Sequence, residues 1–164
     1  MTEIGRISLI LALIVAAYAA IAAGYGGTEK KRNVIASGEN AVYAVWALLT
    51  IASLGLIYAF LTRDFQVEYV FNYSSRSLPF FYSLSAFWAG QEGSLLLWAW
   101  LLAFFSVLVL IQNRHLNREL IPYATSILML VLLFFLVLLV FITDPFARTP
   151  NRPPDGRGPA GKIN

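Results

Sequence analysis

Four long apolar runs, with no charged residue inside any of their cores, limit what this chain can fold into. Each run has close to the ~20 residues that an α-helix needs to cross about 30 Å of hydrocarbon. Charged residues make up only 13% of the 164 residues, whereas a typical soluble domain carries about 25%. Too few polar side chains remain to cover a water-soluble surface, so the sequence predicts an all-α integral membrane protein.

The edges of the apolar runs predict about four transmembrane helices, which cover residues 4–23, 40–61, 94–112 and 120–143. Together they form one predicted bundle within residues 1–143. The connection 24–39 is rich in glycine and charge and is predicted to be a loop, whereas the short connection 113–119 predicts an antiparallel hairpin. The tail 144–164 holds five of the seven prolines and is predicted to be irregular.

The segment between the second and third spans has a pattern of its own. Residues 78–92 have a proline at their second position, Pro79, and are rich in aromatic side chains at helical spacing. A single helix from there to Gln112 would be about 50 Å long, which exceeds the thickness of the bilayer. We therefore expect a break near Gly90 and Gly93, with an interfacial aromatic helix over 78–92, because tyrosine and tryptophan favour that depth.

Several kinds of chemistry are excluded or disfavoured by composition. The chain has no cysteine, which excludes disulfides, thiolate metal sites and a cysteine nucleophile. Its one histidine, His115, is predicted to be a solvated loop residue, so no multi-histidine metal site is expected. No basic face is interleaved with aromatic residues, and no nucleic-acid partner is predicted. We predict neither catalytic residues nor metal ligands in this chain.

The basic residues instead indicate contact with membrane lipid and a direction of insertion. The net charge is +3, and the densest basic cluster near a span is Lys30–Arg32. Because such clusters favour the inner side, the N-terminus and the aromatic segment are predicted on the outer face. The first apolar run is too long for the core of a signal peptide and is interpreted as a retained span.

The densest motif is Trp-Ala-Gly-Gln-Glu-Gly-Ser-Leu-Leu-Leu-Trp, residues 88–98. The candidate site residues in it are Trp88, Gly90, Gln91, Glu92, Gly93, Ser94 and Trp98. Two interpretations stay open. Glu92 can be an acid favoured by the helix dipole, with the tryptophans as membrane anchors. Alternatively, Glu92 is a polar group held at the membrane edge to bind a ligand or partner, beside an aromatic shelf that would suit a porphyrin.

This string resembles the Trp-Gly-Gly-His/Gln-Glu-Gly-Ser-Leu-Leu-Leu-Trp signature of the CcmF family of cytochrome c-type biogenesis proteins. Residues 64–70, 143–148 and 154–158 are similar to neighbouring family segments, so the resemblance covers nearly the whole chain as an N-terminal portion. The resemblance implies a haem lyase component of the bacterial inner membrane that helps deliver haem to apocytochrome c. It also implies haem b as cofactor, and a CcmE-like haem chaperone, a CcmH-like protein and apocytochrome c as partners.

The departures from the family pattern limit this expectation. The Trp-rich segment and the haem-ligating histidines of the family are absent, and Gln91 stands where many relatives have histidine. No haem ligand can be named, and the chain is not expected to be catalytic alone. We expect it to support the remainder of a CcmF-like protein, supplied as a second polypeptide. Two alternatives stay open: a small transporter or channel subunit unrelated to haem, which predicts ionisable residues inside the spans, and a non-functional gene fragment.

Overall fold

The structure, a computed structural model, describes residues 2–61, 90–113 and 119–146. These residues form four long helices: α1 (Thr2–Glu29), α2 (Arg32–Leu61), α3 (Gln91–Asn113) and α4 (Ile121–Val137). A π-helical turn, Leu138–Thr143, extends α4. With this extension counted in α4, all four helices are long and apolar enough to cross a membrane. The predicted all-α membrane fold with four spans is confirmed.

The four helices form an antiparallel bundle in which each helix packs mainly on two neighbours. Helix α1 lies against α2 and α4, and α3 lies against the same two helices from the other side. The buried face of α1 consists mostly of alanines: Ala12, Ala16, Ala19, Ala20 and Ala23. Small side chains let helix backbones approach closely, which matters in a bilayer because lipid is as apolar as the helices themselves. Tight packing therefore holds α1 against its neighbours.

The prediction of a loop over 24–39 is wrong for most of that range. Helix α1 continues to Glu29 and α2 begins at Arg32, so only two lysines connect them. Lys30 adopts a positive φ of 53°, and the Lys31 N–H donates to the Gly26 carbonyl at 3.1 Å. The chain reverses in this tight turn and the helices on both sides continue up to it.

The glycines that favoured a loop prediction serve instead as packing positions. An added Cβ at Gly38 would lie 3.1 Å from the backbone nitrogen of Ala23, and one at Gly26 would lie 2.9 Å from a side-chain carbon of Ile35. The two helices are thus so close here that a side chain on either glycine would force atoms of the other helix to shift. Tertiary contact overrides the weak helix propensity of glycine.

The lengths of α1 and α2 place this turn at the membrane surface. Their 28 and 30 residues span about 42 and 45 Å at about 1.5 Å per residue. A bilayer is about 30 Å thick in its hydrocarbon core and about 40–45 Å thick with the headgroup layers. The helix ends, and the turn between them, therefore reach the level of the lipid headgroups.

At the other end of the bundle, the chain that follows α4 returns onto α1. Asp144 has a φ of 31° and donates its N–H to the Leu139 carbonyl at 3.0 Å, the spacing of a π-helix. Its carboxylate accepts the Phe146 N–H at 3.3 Å and pairs with Arg6 at 3.4 Å. Phe146 is 2% exposed and covers Gly5. The first three residues of the predicted tail therefore pack on α1, and the rest of it, 147–164, lies outside the described residues.

The predicted interfacial segment can be compared with the structure only at its end. Residues 78–89, including Trp88, lie outside the described residues. Gly90 forms a bend directly before α3, where a break was predicted, and Gly93 lies inside the helix. Gln91 and Glu92, predicted to end the interfacial segment, instead form the first turn of α3. The third helix therefore begins earlier than the apolar run alone indicates.

Candidate functional site: the start of helix α3

The Gly90–Ser94 turn is fixed by one carbonyl group. The Ser94 N–H and hydroxyl both donate to the Gly90 carbonyl, at 3.1 and 2.6 Å. A serine hydroxyl that bonds back four residues is a familiar local arrangement within a helix. Gly90 and Gly93 are both buried. This turn sets the direction in which Glu92 leaves the helix.

Glu92 lies on the face of α3 that points into the bundle. Leu96, Ala99 and Ala103 follow it at four, seven and eleven residues, the spacing of one helix face, and all three are buried. Glu92 itself is half-buried, and its Oε2 atom is buried without a hydrogen-bond donor from the described ranges. A buried carboxylate oxygen without a donor is unfavourable. This acid is therefore placed to accept a hydrogen bond from a further group.

Gln91 and Trp98 lie on a different face of the same helix. Both are exposed, and Trp98 is 60% exposed. Phe105 continues this outward stripe seven residues further on. The candidate motif is thus divided: Glu92 faces the bundle, whereas Trp98 faces lipid or a partner. The structure does not bring these two side chains together, and Trp88 lies outside the described residues.

A polar and aromatic cluster between α2 and α3 was missed by the sequence reasoning. The Trp100 ring stacks on Phe104, with centroids 5.5 Å apart, and Trp46 lies 6.4 Å from Trp100. Trp100 Nε1 donates to the Thr50 hydroxyl at 2.9 Å, and that hydroxyl donates to the Trp46 carbonyl at 2.8 Å. The spacing of four residues from Trp46 to Thr50, and from Trp100 to Phe104, places each pair on one helix face. The contact between the two helices has no such local signal.

The Trp46 indole of this cluster resembles Glu92 in one respect: a buried polar atom of each lacks a hydrogen-bond partner among the described residues. Its Nε1 is buried and has no hydrogen-bond acceptor among the residues that the structure describes.

Elsewhere in the described residues the buried polar side chains are three hydroxyls, on Ser8, Ser106 and Thr125. The path of buried ionisable residues that a transporter requires is not found in the described ranges. Those ranges also hold no group of three or more potential metal ligands.

Comparisons with known proteins identify relatives along almost the whole chain. CcmF of Haemophilus influenzae is 37% identical over 156 residues, which cover 94% of this chain and 24% of that protein. CcmF of Escherichia coli is 33% identical over 158 residues, with 96% of this chain and 24% of that protein covered. A solved structure, "Cytochrome c Heme Lyase CcmF", is 24% identical with a TM-score of 0.83, and the match covers 92% of this chain and 25% of that chain. No family model matches.

The antiparallel bundle and the polar motif at the start of its third helix define a polytopic α-helical membrane protein. The chain belongs to the CcmF family of cytochrome c-type biogenesis proteins and matches their N-terminal part. The predicted family resemblance is thereby confirmed. The chain spans about a quarter of the length of the curated relatives it matches.

Proposed function

We propose that this chain acts in cytochrome c maturation as the N-terminal membrane bundle of a CcmF-type haem lyase. In this role it is not catalytic by itself and supports the haem-handling part of the protein, which lies in the region that the match does not cover. The relatives are named cytochrome c-type biogenesis proteins, and their likeness to this chain supports the assignment. Haem b is the cofactor of the assembled protein in this proposal, and no residue of this chain is proposed as its ligand.

The observation that carries the proposal is the half-buried carboxylate of Glu92. Its buried Oε2 lacks a donor within the described residues, although it lies in the first turn of a spanning helix. A hydrogen bond to a charged acceptor is worth about 1.5–3 kcal/mol, so an incoming donor would gain from this site. We infer that Glu92 positions the remaining region of a CcmF-like protein against α3. Gln91 and Trp98 then contact the same partner from the outward face.

The further partners follow from the same role. A CcmE-like chaperone brings haem, a CcmH-like protein presents apocytochrome c, and attachment takes place at the outer face of the bacterial inner membrane. The Lys30–Arg32 turn is then on the inner face, as the distribution of basic residues favours. Glu92, at the opposite end of the bundle from that turn, lies toward the outer face.

The direct test of the Glu92 role is the substitution Glu92→Gln. It preserves size and shape and replaces the charged acceptor by a neutral one, so docking should weaken about tenfold, the lower end of the range for charged hydrogen bonds. The readout is covalent haem on cytochrome c, measured by haem-stained gels in cells that carry the complete maturation system. Glu29→Gln is the matched control, because Glu29 is exposed at the end of α1. Full maturation with Glu92→Gln would exclude this role.

A second test addresses the non-catalytic assignment. The full chain, purified in detergent after expression alone, is mixed with haem and its absorption spectrum is recorded. We expect no spectrum of haem with axial histidine, since the family's haem ligands are proposed to lie in the region that the match does not cover. A stable axial-histidine spectrum would show that the chain handles haem by itself.

A further inference from the structure

A cleft opens at the end of the bundle opposite Glu92, between the α1–α2 turn and the start of α4. It has a volume of about 310 Å³. Its lining combines basic, acidic and apolar side chains: Gly27, Lys30, Arg32, Ile35, Glu119, Pro122 and Tyr123. The cleft is an opening among three helix ends, and neither the Glu92 site nor the Trp46–Trp100 cluster contributes to it.

The charges of the described lining residues leave one positive charge in excess. Lys30 and Arg32 contribute two cations and Glu119 one carboxylate, which gives +1. Within the described ranges, none of these three side chains takes part in an ion pair. Lys31 is directed elsewhere, since its Nζ donates to the Tyr25 hydroxyl at 3.1 Å and lies 5.1 Å from that ring centroid. A ligand with one negative charge would neutralise the sum of these three charges.

The first turn of α2 adds to this positive potential. Arg32 and Ile35, at the beginning of that helix, both line the cleft. The N-terminus of a helix carries a partial positive charge and N–H groups without intrahelical partners. An anionic oxygen in the cleft would therefore meet two side-chain cations and the positive end of a helix dipole.

The depth and the apolar floor of the cleft restrict the kind of anion. The turn lies at the level of the lipid headgroups, as the lengths of α1 and α2 require. Pro122 and Tyr123 form the apolar side, and Ile127, one turn deeper on α4, is 63% exposed. A headgroup held in the cleft would thus have its acyl chains directed along an apolar helix surface. Basic pockets between spanning helices commonly bind acidic lipid headgroups.

We propose that this cleft binds the phosphodiester headgroup of an anionic phospholipid. A phosphodiester carries a single negative charge, which matches the excess charge of the described lining residues. Lys30 and Arg32 bind the phosphate, the first turn of α2 supports it, and Tyr123 and Ile127 contact the acyl chains. The bound lipid would join the α1–α2 turn to the start of α4, and so close the inner end of the bundle.

The test measures lipid bound to the full chain in detergent by native mass spectrometry, with phosphatidylglycerol and phosphatidylcholine added in equal amounts. The variant Lys30→Gln/Arg32→Gln removes both cations of the lining. Since each basic residue near a membrane surface is worth about fivefold in affinity, the preference for phosphatidylglycerol should fall about 30-fold. Glu119→Gln should raise it about fivefold, because it removes the opposing charge.

The matched control is Arg6→Gln/Lys31→Gln, which loses the same charge at two positions outside the lining. It should keep the preference for phosphatidylglycerol. An equal loss in the control and in the lining variant would overturn the proposal, as would an unchanged preference in the lining variant. Glycerophosphoglycerol, the free headgroup, distinguishes a lipid from a soluble phosphate ester: displacement of phosphatidylglycerol by this compound at millimolar concentration would overturn the lipid assignment.

Discussion

The contact between Gly5 and Phe146 gives a stability prediction that can be worked out from the structure. A Cβ added to Gly5 would collide with the Phe146 ring, and even the third-nearest ring carbon would be only 3.0 Å away. Phe146 is 2% exposed, so the ring can move only by giving up its packing. Overpacking costs about 1–3 kcal/mol, while alanine gains about 1 kcal/mol over glycine in a helix. Gly5→Ala should therefore lower the free energy of unfolding by up to about 2 kcal/mol.

A double-mutant cycle separates the collision from the change in helix propensity. In the Phe146→Ala background the ring is absent, so Gly5→Ala should become neutral or stabilising by up to about 1 kcal/mol. The assay is unfolding in dodecylmaltoside micelles by added SDS, followed by far-ultraviolet circular dichroism. Because the two residues are in direct contact, their effects should not be additive, and the cycle measures this coupling energy. If Gly5→Ala costs the same in both backgrounds, the docking of Phe146 on α1 is refuted.

Two further predictions concern hydrogen bonds between helices and use the same unfolding assay. Thr50→Val removes the acceptor of Trp100 Nε1 and should destabilise the chain by about 1–3 kcal/mol, the cost of an unsatisfied buried donor. Thr50→Ser keeps the hydroxyl and should keep most of the stability. Equal effects of the two substitutions would contradict the assigned bond. Ser126→Ala removes the 2.8 Å bond from the serine hydroxyl to the Ala20 carbonyl and should cost only about 0.6 kcal/mol, the average for such bonds in membranes. A loss well above about 2 kcal/mol would mean that Ser126 does more than join α1 to α4.

The spans themselves could be predicted from sequence because hydropathy and length are local properties. The helical structure of most of the range 24–39 could not be predicted, because its glycines and charges favour a loop when each is considered alone. The close approach of Gly38 to Ala23 and of Gly26 to Ile35 depends on two helices meeting, which no local pattern shows. The helical extension that results is also what places the α1–α2 turn beside α4 and forms the cleft.

The candidate site was predicted as a string of residues, and its division into two faces was not. Helical spacing places Glu92 on the same helix face as the buried Leu96. This placement can be predicted from the sequence once the helix is known to begin at Gln91. The apolar run alone predicted a later start at residue 94. The pairing of Thr50 with Trp100 joins positions 50 residues apart, so only the packing of α2 on α3 reveals it.

We propose that this bundle is needed for cytochrome c maturation although it is not catalytic alone. The most direct measurement is covalent haem on a reporter cytochrome c in a bacterial strain without its own CcmF. The remaining region of a CcmF protein is expressed there with or without this chain. We predict haem attachment only when both polypeptides are present. Equal attachment without this chain would contradict the claim.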